Sequence, residues 1–257
     1  MPPSLGSAEA RGRADQLERF LTEALTKVTN VQVAQSYEAL AKDLLAGRVD
    51  AAWAPPFVCA RIEAMAARTL TRGVRKGASS YRAALVAKAE SALTLEKLQG
   101  TTAAWVDRDS VGGYLLAAAM LKAKGMDPAK IFFGQEFTGS YRASIEAVVA
   151  GKADVASVFA ASASTQNAPP SGADEILPGA SRKLKVLGYT DESPNDGVVV
   201  APSADPATVD ALEKALLGLD SNPEGKQLLS EVFSVDRFEP APRMGYRALY
   251  RVAMASI

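Results

Sequence analysis

The sequence predicts an α/β fold of two similar lobes with mainly parallel sheets. Three observations predict it. The chain has 257 residues, 48% of them apolar and 23% charged, enough for two small cores. Helix-like and strand-like stretches alternate through most of its length. One phrase also occurs twice: Tyr37…Leu45-Ala46-Gly47-Arg48-Val49-Asp50-Ala51-Ala52 is echoed by Tyr141…Val149-Ala150-Gly151-Lys152-Ala153-Asp154-Val155-Ala156. Each copy reads as a helix, a glycine stop, a basic residue, an Asp and a buried strand.

Residues 8–26 read as an amphipathic helix, with Leu17, Phe20, Leu21 and Leu25 on one face. Val31 to Val33 reads as a short strand. Ser36 can cap a helix through Ala46, which Gly47 ends. Val49 to Ala54 is strand-like, and Pro55-Pro56 breaks it before a helix around 57–66. Strands are expected at 69–75, 81–87 and Thr101–Val106. Ser110 can cap a helix to about Lys124. Ile131 to Phe133 reads as strand, Ser140 caps a helix to Ala150, and Val155 to Phe159 is strand again.

Residues 160–182 are rich in Ala, Ser, Asn, Pro and Gly, which predicts an irregular connector. Strands return at Lys185–Tyr189 and Val198–Ala201. Asp205 before Pro206 and Asn222 before Pro223 are each a cap followed by a first-turn proline. Leu212, Leu216 and Leu219 form the stripe of the first of these helices. Met244 to Met254 is expected as a last helix.

Composition excludes much chemistry. There is no histidine, so a Ser-His-Asp triad, a Cys-His pair and a His-ligated zinc site are impossible within the chain. No metal site and no cofactor are expected. The single cysteine, Cys59, lies in an apolar run and reads as a small buried side chain. Twenty-nine basic residues balance 29 acidic ones, which argues against nucleic acid or an anionic membrane as partner. No run approaches the ~20 apolar residues of a membrane span, so no membrane insertion is expected. The first residues lack the pattern of a signal peptide, and as written the chain would stay in the cytosol. No GxxxxGK[ST] occurs, and no GxGxxG follows a strand.

Two helix starts carry the remaining signal. Ser110-Val111-Gly112-Gly113-Tyr114 follows a strand, and Thr138-Gly139-Ser140-Tyr141 opens the next long helix. A helix start exposes unpaired N–H groups and partial positive charge, which suits an anion; ordinary capping also explains the serines. Asp196, in Asn195-Asp196-Gly197, reads as a turn residue or as a counter-charge for a ligand cation. Tyr37, Tyr81 and Tyr141 read as core or cleft aromatics. Arg72, Arg75 and Lys76 read as solvated charge.

Four stretches in order resemble the phosphonate/phosphite/phosphate-type substrate-binding proteins of ABC transporters. They are Tyr37-Glu38-Ala39-Leu40 with Gly47 to Trp53, Leu93 to Gly100 with Val106 to Tyr114, Thr138 to Val158, and Pro194 to Val200. The resemblance implies a type II periplasmic-binding-protein fold with a hinge and an interlobe cleft. Lobe 1 would be residues 1–85 plus 197–257, lobe 2 residues 88–192, with hinges near 84–90 and 189–197. It implies capture of a small anionic ligand, delivery to ABC permease subunits, no catalysis and a monomeric chain. The implied ligand residues are Tyr37 and Tyr81, Ser110 with Val111, Gly112 and Gly113, Ser140 with Tyr141, and Asp196 where the ligand carries an amine.

Three departures accompany the resemblance. Tyr141 stands where the family usually has His. The family's Ser-Thr-Ser-Gly run is reduced to Ser110-Val111-Gly112-Gly113. Both changes remove donors that a buried dianion needs. Met1-Pro2-Pro3-Ser4 also resembles the loop after the family's first strand, so that strand would be missing or supplied differently. An upstream piece with a signal peptide would place the protein in the periplasm or on a lipid anchor outside the cytoplasm. A cytosolic enzyme on the same fold, similar to menaquinone-pathway enzymes of that architecture, and a sensing domain of a regulator are the alternatives.

Overall fold

The computed structural model describes residues 1, 7–161, 171–242 and 246. They divide into two compact units, residues 1–79 with 194–246, and residues 80–193. The expected boundary at 85–88 falls within a strand whose residues Ala83 to Ala87 are fully buried in the second unit.

The first unit opens with α1 (Ser7–Ala24), α2 (Tyr37–Leu45), β1 (Ala51–Ala54), α3 (Pro56–Glu63) and β2 (Arg68–Val74). In the second follow β3 (Ser80–Lys88), β4 (Thr101–Trp105), a wide π turn (Val111–Leu115) running into α4 (Leu116–Ala123), α5 (Pro128–Ile131) and β5 (Phe132–Phe137). Then come α6 (Tyr141–Val149), β6 (Val155–Ala161), α7 (Ser171–Ile176) and β7 (Leu184–Tyr189). The chain returns through β8 (Ser193–Pro194) to β9 (Gly197–Val200), α8 (Pro206–Leu217), α9 (Pro223–Leu228) and β10 (Arg237–Pro240) in the first unit.

The sheets correct the expectation of mainly parallel pairing. In the first unit the order is β1-β9-β2-β10 and every pairing is antiparallel. The β1-α3-β2 crossover does make β1 and β2 run the same way, as helical crossovers require. The returning strand β9 is inserted between them and opposes both. In the second unit β4 pairs parallel with β5 and β6, the strands joined by helical crossovers. There β3 opposes β6 and β7.

Each sheet is covered on both faces. In the first unit Trp53 faces α1 and α8 through Leu17, Leu21, Leu212 and Leu216, and it meets Phe233 and Phe238 edge-on at 5.3 and 5.4 Å. Its neighbours Ala52 and Ala54 point the other way, onto Leu40 and Leu44 of α2 and Val58 and Ile62 of α3. This is the alternation of a strand buried on both faces. Cys59 lies in the second of these clusters, fully buried, and burial pushes its thiol well above the ordinary range. In the second unit α6 packs Ile145 and Val148 on Ala84, Val86 and Val158, while α4 packs Ala117 and Leu121 against Leu85 and Trp105.

Three local expectations change. Val31 to Val33 is not a strand: Val31 N–H donates to the Glu18 carboxylate at 2.9 Å, and the main-chain bonds here are with Met1, its amino group donating to Gln32 O at 2.8 Å and its carbonyl accepting from Ala34 N at 3.0 Å. Two bonds do not make a ladder. The connector is partly helical, with α7 and a 3₁₀ turn at Ala180–Lys183, because Ala173 and Ala180 fit the apolar cluster beside β6. The expected helix at 244–254 lies outside the described residues apart from Tyr246.

Candidate ligand-binding site

In the second unit the end of β4 organises both predicted helix starts. Val106 donates its N–H to Gly113 O at 3.3 Å and accepts Gly139 N–H at 2.9 Å, so one residue ties both turns to the strand. Ser110 has extended backbone angles and caps the π turn, its hydroxyl accepting Gly113 N–H at 3.2 Å. Its carbonyl accepts from both Tyr114 and Leu115 at 3.0 Å, which widens the turn. Ser140 caps α6, its hydroxyl accepting Ala143 N–H at 3.2 Å. The N–H groups of Val111 and Gly112 donate to no described residue. They remain the free donors of the helix start.

The pairing of β3 with β6 builds the wall beside these donors. Tyr81 opposes Ala161, Ala83 opposes Phe159 and Leu85 opposes Ser157, which places Tyr81, Phe159 and Ser157 on one face of the sheet. Ser157 Oγ donates to Gly112 O at 2.6 Å and fixes the turn from beneath. A Cβ on Gly112 would lie 2.7 Å from the Tyr141 hydroxyl oxygen and 3.1 Å from the Tyr81 ring. Glycine is therefore the residue that admits both tyrosines here. The Tyr141 ring meets Phe159 edge-on at 5.5 Å.

Tyr81, Val111, Gly112, Gly113 and Tyr141 thus come together within one unit. Ser110 and Ser140 stand at its rim with their oxygens already used as caps. Two nearby cations are engaged: Arg82 pairs with Glu192 at 3.4 Å, and Arg108 lies over the Phe137 ring at 4.5 Å. Among the described residues no cluster of metal-ligating side chains occurs.

Tyr37 and Asp196 belong to the first unit. Tyr37 opens α2 behind the Ser36 cap and packs against the cluster containing Leu40 and Leu44. Asp196 is ion-paired, Arg75 Nη2 lying 2.6 Å from its Oδ2. Arg72 similarly meets Glu239 at 2.6 Å. Neither arginine is the solvated charge expected of it, because carboxylates distant in sequence reach both. As site residues, Ser157 and Phe159 go unmarked in the sequence, and Arg75 reads there only as solvated charge. Each acts through a partner placed by strand pairing, and no local motif marks them.

Comparison with known proteins decides the family. The model for the periplasmic substrate-binding protein of phosphonate ABC transporters matches residues 1–246. The chain belongs to that family. Its partners are accordingly a small-molecule ligand and a transporter permease, the family acts outside the cytoplasm, and it is a family of binding proteins rather than enzymes. No helix among the described residues is long and apolar enough to cross a membrane.

Solved structures agree on the two-lobed fold. PhnD1 of Prochlorococcus marinus, solved in complex with methylphosphonate, aligns over 100% of this chain and 97% of its own, with a TM-score of 0.78 and 17% identity. A binding-protein component of an ABC phosphonate transporter from Pseudomonas aeruginosa covers 99% and 84% at 0.79 and 18% identity. A Xanthomonas citri protein bound to ATP covers 96% and 93% at 0.82 and 19% identity.

Proposed function

We propose that this substrate-binding protein captures a small phosphonate-type oxyanion on the Val111–Gly113 turn, beneath Tyr81 and Tyr141, and delivers it unchanged to its permease. The observation that carries the reading is the pair of free N–H donors at Val111 and Gly112, walled by two tyrosines. Such donors at a helix start suit phosphonate oxygens. Ser110 and Ser140 keep hydroxyl protons to offer, since their oxygens serve as caps and not as donors in those bonds. Tyr37 and Asp196 are further proposed ligand residues, by resemblance to the family. The protein acts as a monomer, binds no nucleic acid, and is held outside the cytoplasm as a periplasmic or lipid-anchored chain.

Methylphosphonate is the first ligand to test, since a relative of the same fold was solved with it. The crowding over Gly112 suits one small headgroup. Thermal-shift and calorimetric titrations with methylphosphonate, phosphite, phosphate, sulfate and ATP test the reading. At a hundred times Kd a ligand stabilises by about 2.7 kcal/mol. Methylphosphonate is expected to do so and to be recovered intact by phosphorus NMR, and Tyr81→Ala with Ser110→Ala to abolish the shift. Stabilisation by ATP alone, by none of the five, or undiminished in the double variant rejects the proposal.

A further inference from the structure

We infer that Ser157 is a positioning residue for ligand capture: its buried hydroxyl clamps the Gly112–Gly113 peptide and so keeps the Val111 and Gly112 N–H groups ready for an oxyanion. The inference rests on the proposed reading of the Val111–Gly113 turn as the cradle, and every residue it uses lies in the second unit.

Packing makes both ends of that peptide glycine. A Cβ on Gly112 would lie 2.7 Å from the Tyr141 hydroxyl oxygen, and one on Gly113 would lie 2.4 Å from Val106 Cγ2. Two glycines in succession leave the peptide between them free to rotate unless something holds it. Two serines hold it. Ser157 Oγ donates to Gly112 O at 2.6 Å, and Ser110 Oγ accepts Gly113 N–H at 3.2 Å. The carbonyl is thereby fixed from β6 and the N–H from the helix cap.

Ser157 is fully buried in a strand otherwise built of Val, Ala and Phe. β6 pairs with β3 and β4 through its main chain, so the ladder does not call for a hydroxyl here. The hydroxyl serves the turn instead. Its bond draws the Gly112 carbonyl, the negative end of the peptide dipole, toward the sheet. Without it the buried carbonyl loses a partner, and a turn of two glycines can rotate that oxygen outward to find water. A carbonyl oxygen would then repel the oxyanion, beside N–H groups no longer held in place. Donors fixed before the ligand arrives bind it more tightly, because less ordering accompanies capture.

Calorimetry with methylphosphonate on the wild type, Ser157→Ala and Ser157→Thr tests the inference, together with thermal unfolding of each protein. Ser157→Ala is expected to bind about tenfold more weakly. Ser157→Thr keeps the hydroxyl and should stay within about threefold of the wild type. A third measurement needs no variant: on titrating the wild type, the amide NMR signals of Val111 and Gly112 should move more than that of Gly113, whose N–H stays on Ser110. Unchanged affinity in a folded Ser157→Ala protein, even with a lower Tm, makes the serine merely structural and overturns the inference while leaving phosphonate capture intact. So does equal weakening in both variants, or a wild-type response larger at Gly113 than at Gly112. Failure of the wild type to bind methylphosphonate overturns the proposed function and this inference with it.

Discussion

The phrase that occurs twice in the sequence folds once in each unit, and the two copies agree in the middle and differ at both ends. Ser36 and Ser140 cap their helices through N–H groups three residues on, at 3.0 and 3.2 Å. Both helices run nine residues, and both stop at a glycine in the left-handed region, Gly47 at φ 66° and Gly151 at φ 73°. The aspartates that follow then separate. Asp154 Oδ2 accepts the N–H and the hydroxyl of Thr102 at 2.7 and 2.8 Å and stitches β6 to β4. Asp50 is exposed, its carboxylate bonds to no described residue, and only its carbonyl is used, by Ala201 N–H at 2.8 Å. The tyrosines diverge as well: Tyr37 lies against aliphatic side chains, whereas the Tyr141 hydroxyl stands over Gly112. Local sequence sets a helix, its cap and its stop. The neighbouring element decides whether the flanking residue packs, stitches or stands over a turn.

The largest effect is expected where Tyr141 meets the turn. Gly112→Ala drives a methyl group to within 2.7 Å of the Tyr141 hydroxyl, so the turn or the tyrosine must move. Methylphosphonate stabilisation should vanish, and the pair Gly112→Ala with Tyr141→Phe should recover part of it by removing the oxygen. Gly47→Ala is the control from the other unit: it forces a left-handed backbone on alanine and brings the methyl to 2.7 Å from the Ser203 hydroxyl oxygen, which can rotate away, so it costs roughly 1–2 kcal/mol of stability and leaves ligand affinity alone. Unimpaired binding by Gly112→Ala would erase the distinction between the two tyrosines. The next largest effect separates the aspartates. Asp154→Ala removes two bonds to Thr102 and should lower stability by about 2 kcal/mol in urea unfolding, whereas Asp50→Ala should stay within about 0.5 kcal/mol. Equal losses would mean that the stitch to β4 contributes nothing.

The same division explains what the sequence revealed. Caps were legible because they are local: Asp205 accepts from Thr208 N–H at 3.0 Å and Asn222 from Gly225 N–H at 2.7 Å, as the Asp-Pro and Asn-Pro pairs imply. The family was legible because four weak motifs occur in order along one chain. Insertion of β9 between β1 and β2 was not, since nothing in Gly197–Val200 records which strands it will oppose. Arg75 lay equally out of reach. It and Asp196 are 121 residues apart, and an arginine beside Arg72 and Lys76 reads as surface charge until the fold brings its carboxylate to it. The site was half legible. Its glycines and tyrosines carry motif positions, but Ser157 and Phe159 join it only through the register of β3 on β6.

The smallest expected effect tests whether the shared middle of the two copies is truly equivalent. Each serine cap satisfies one of the orphan N–H groups of its helix, and losing such a cap costs about 1 kcal/mol. Ser36→Ala and Ser140→Ala should therefore destabilise by similar amounts. The Ser140 copy has one extra tie: its carbonyl accepts the Ser144 hydroxyl at 3.1 Å, and Thr138 Oγ1 lies 2.7 Å from Ser144 Oγ. Neither bond uses the Ser140 side chain, so both survive the substitution; they should blunt fraying at α6 and make the Ser140→Ala loss the smaller of the two. The caps share no hydrogen-bond partner, so the losses should add in the double variant to within about 0.5 kcal/mol. A larger loss at Ser140 than at Ser36 would show that its hydroxyl does more for the second unit than cap a helix. Strong non-additivity would show that the two copies of the phrase do not fold as separate local units.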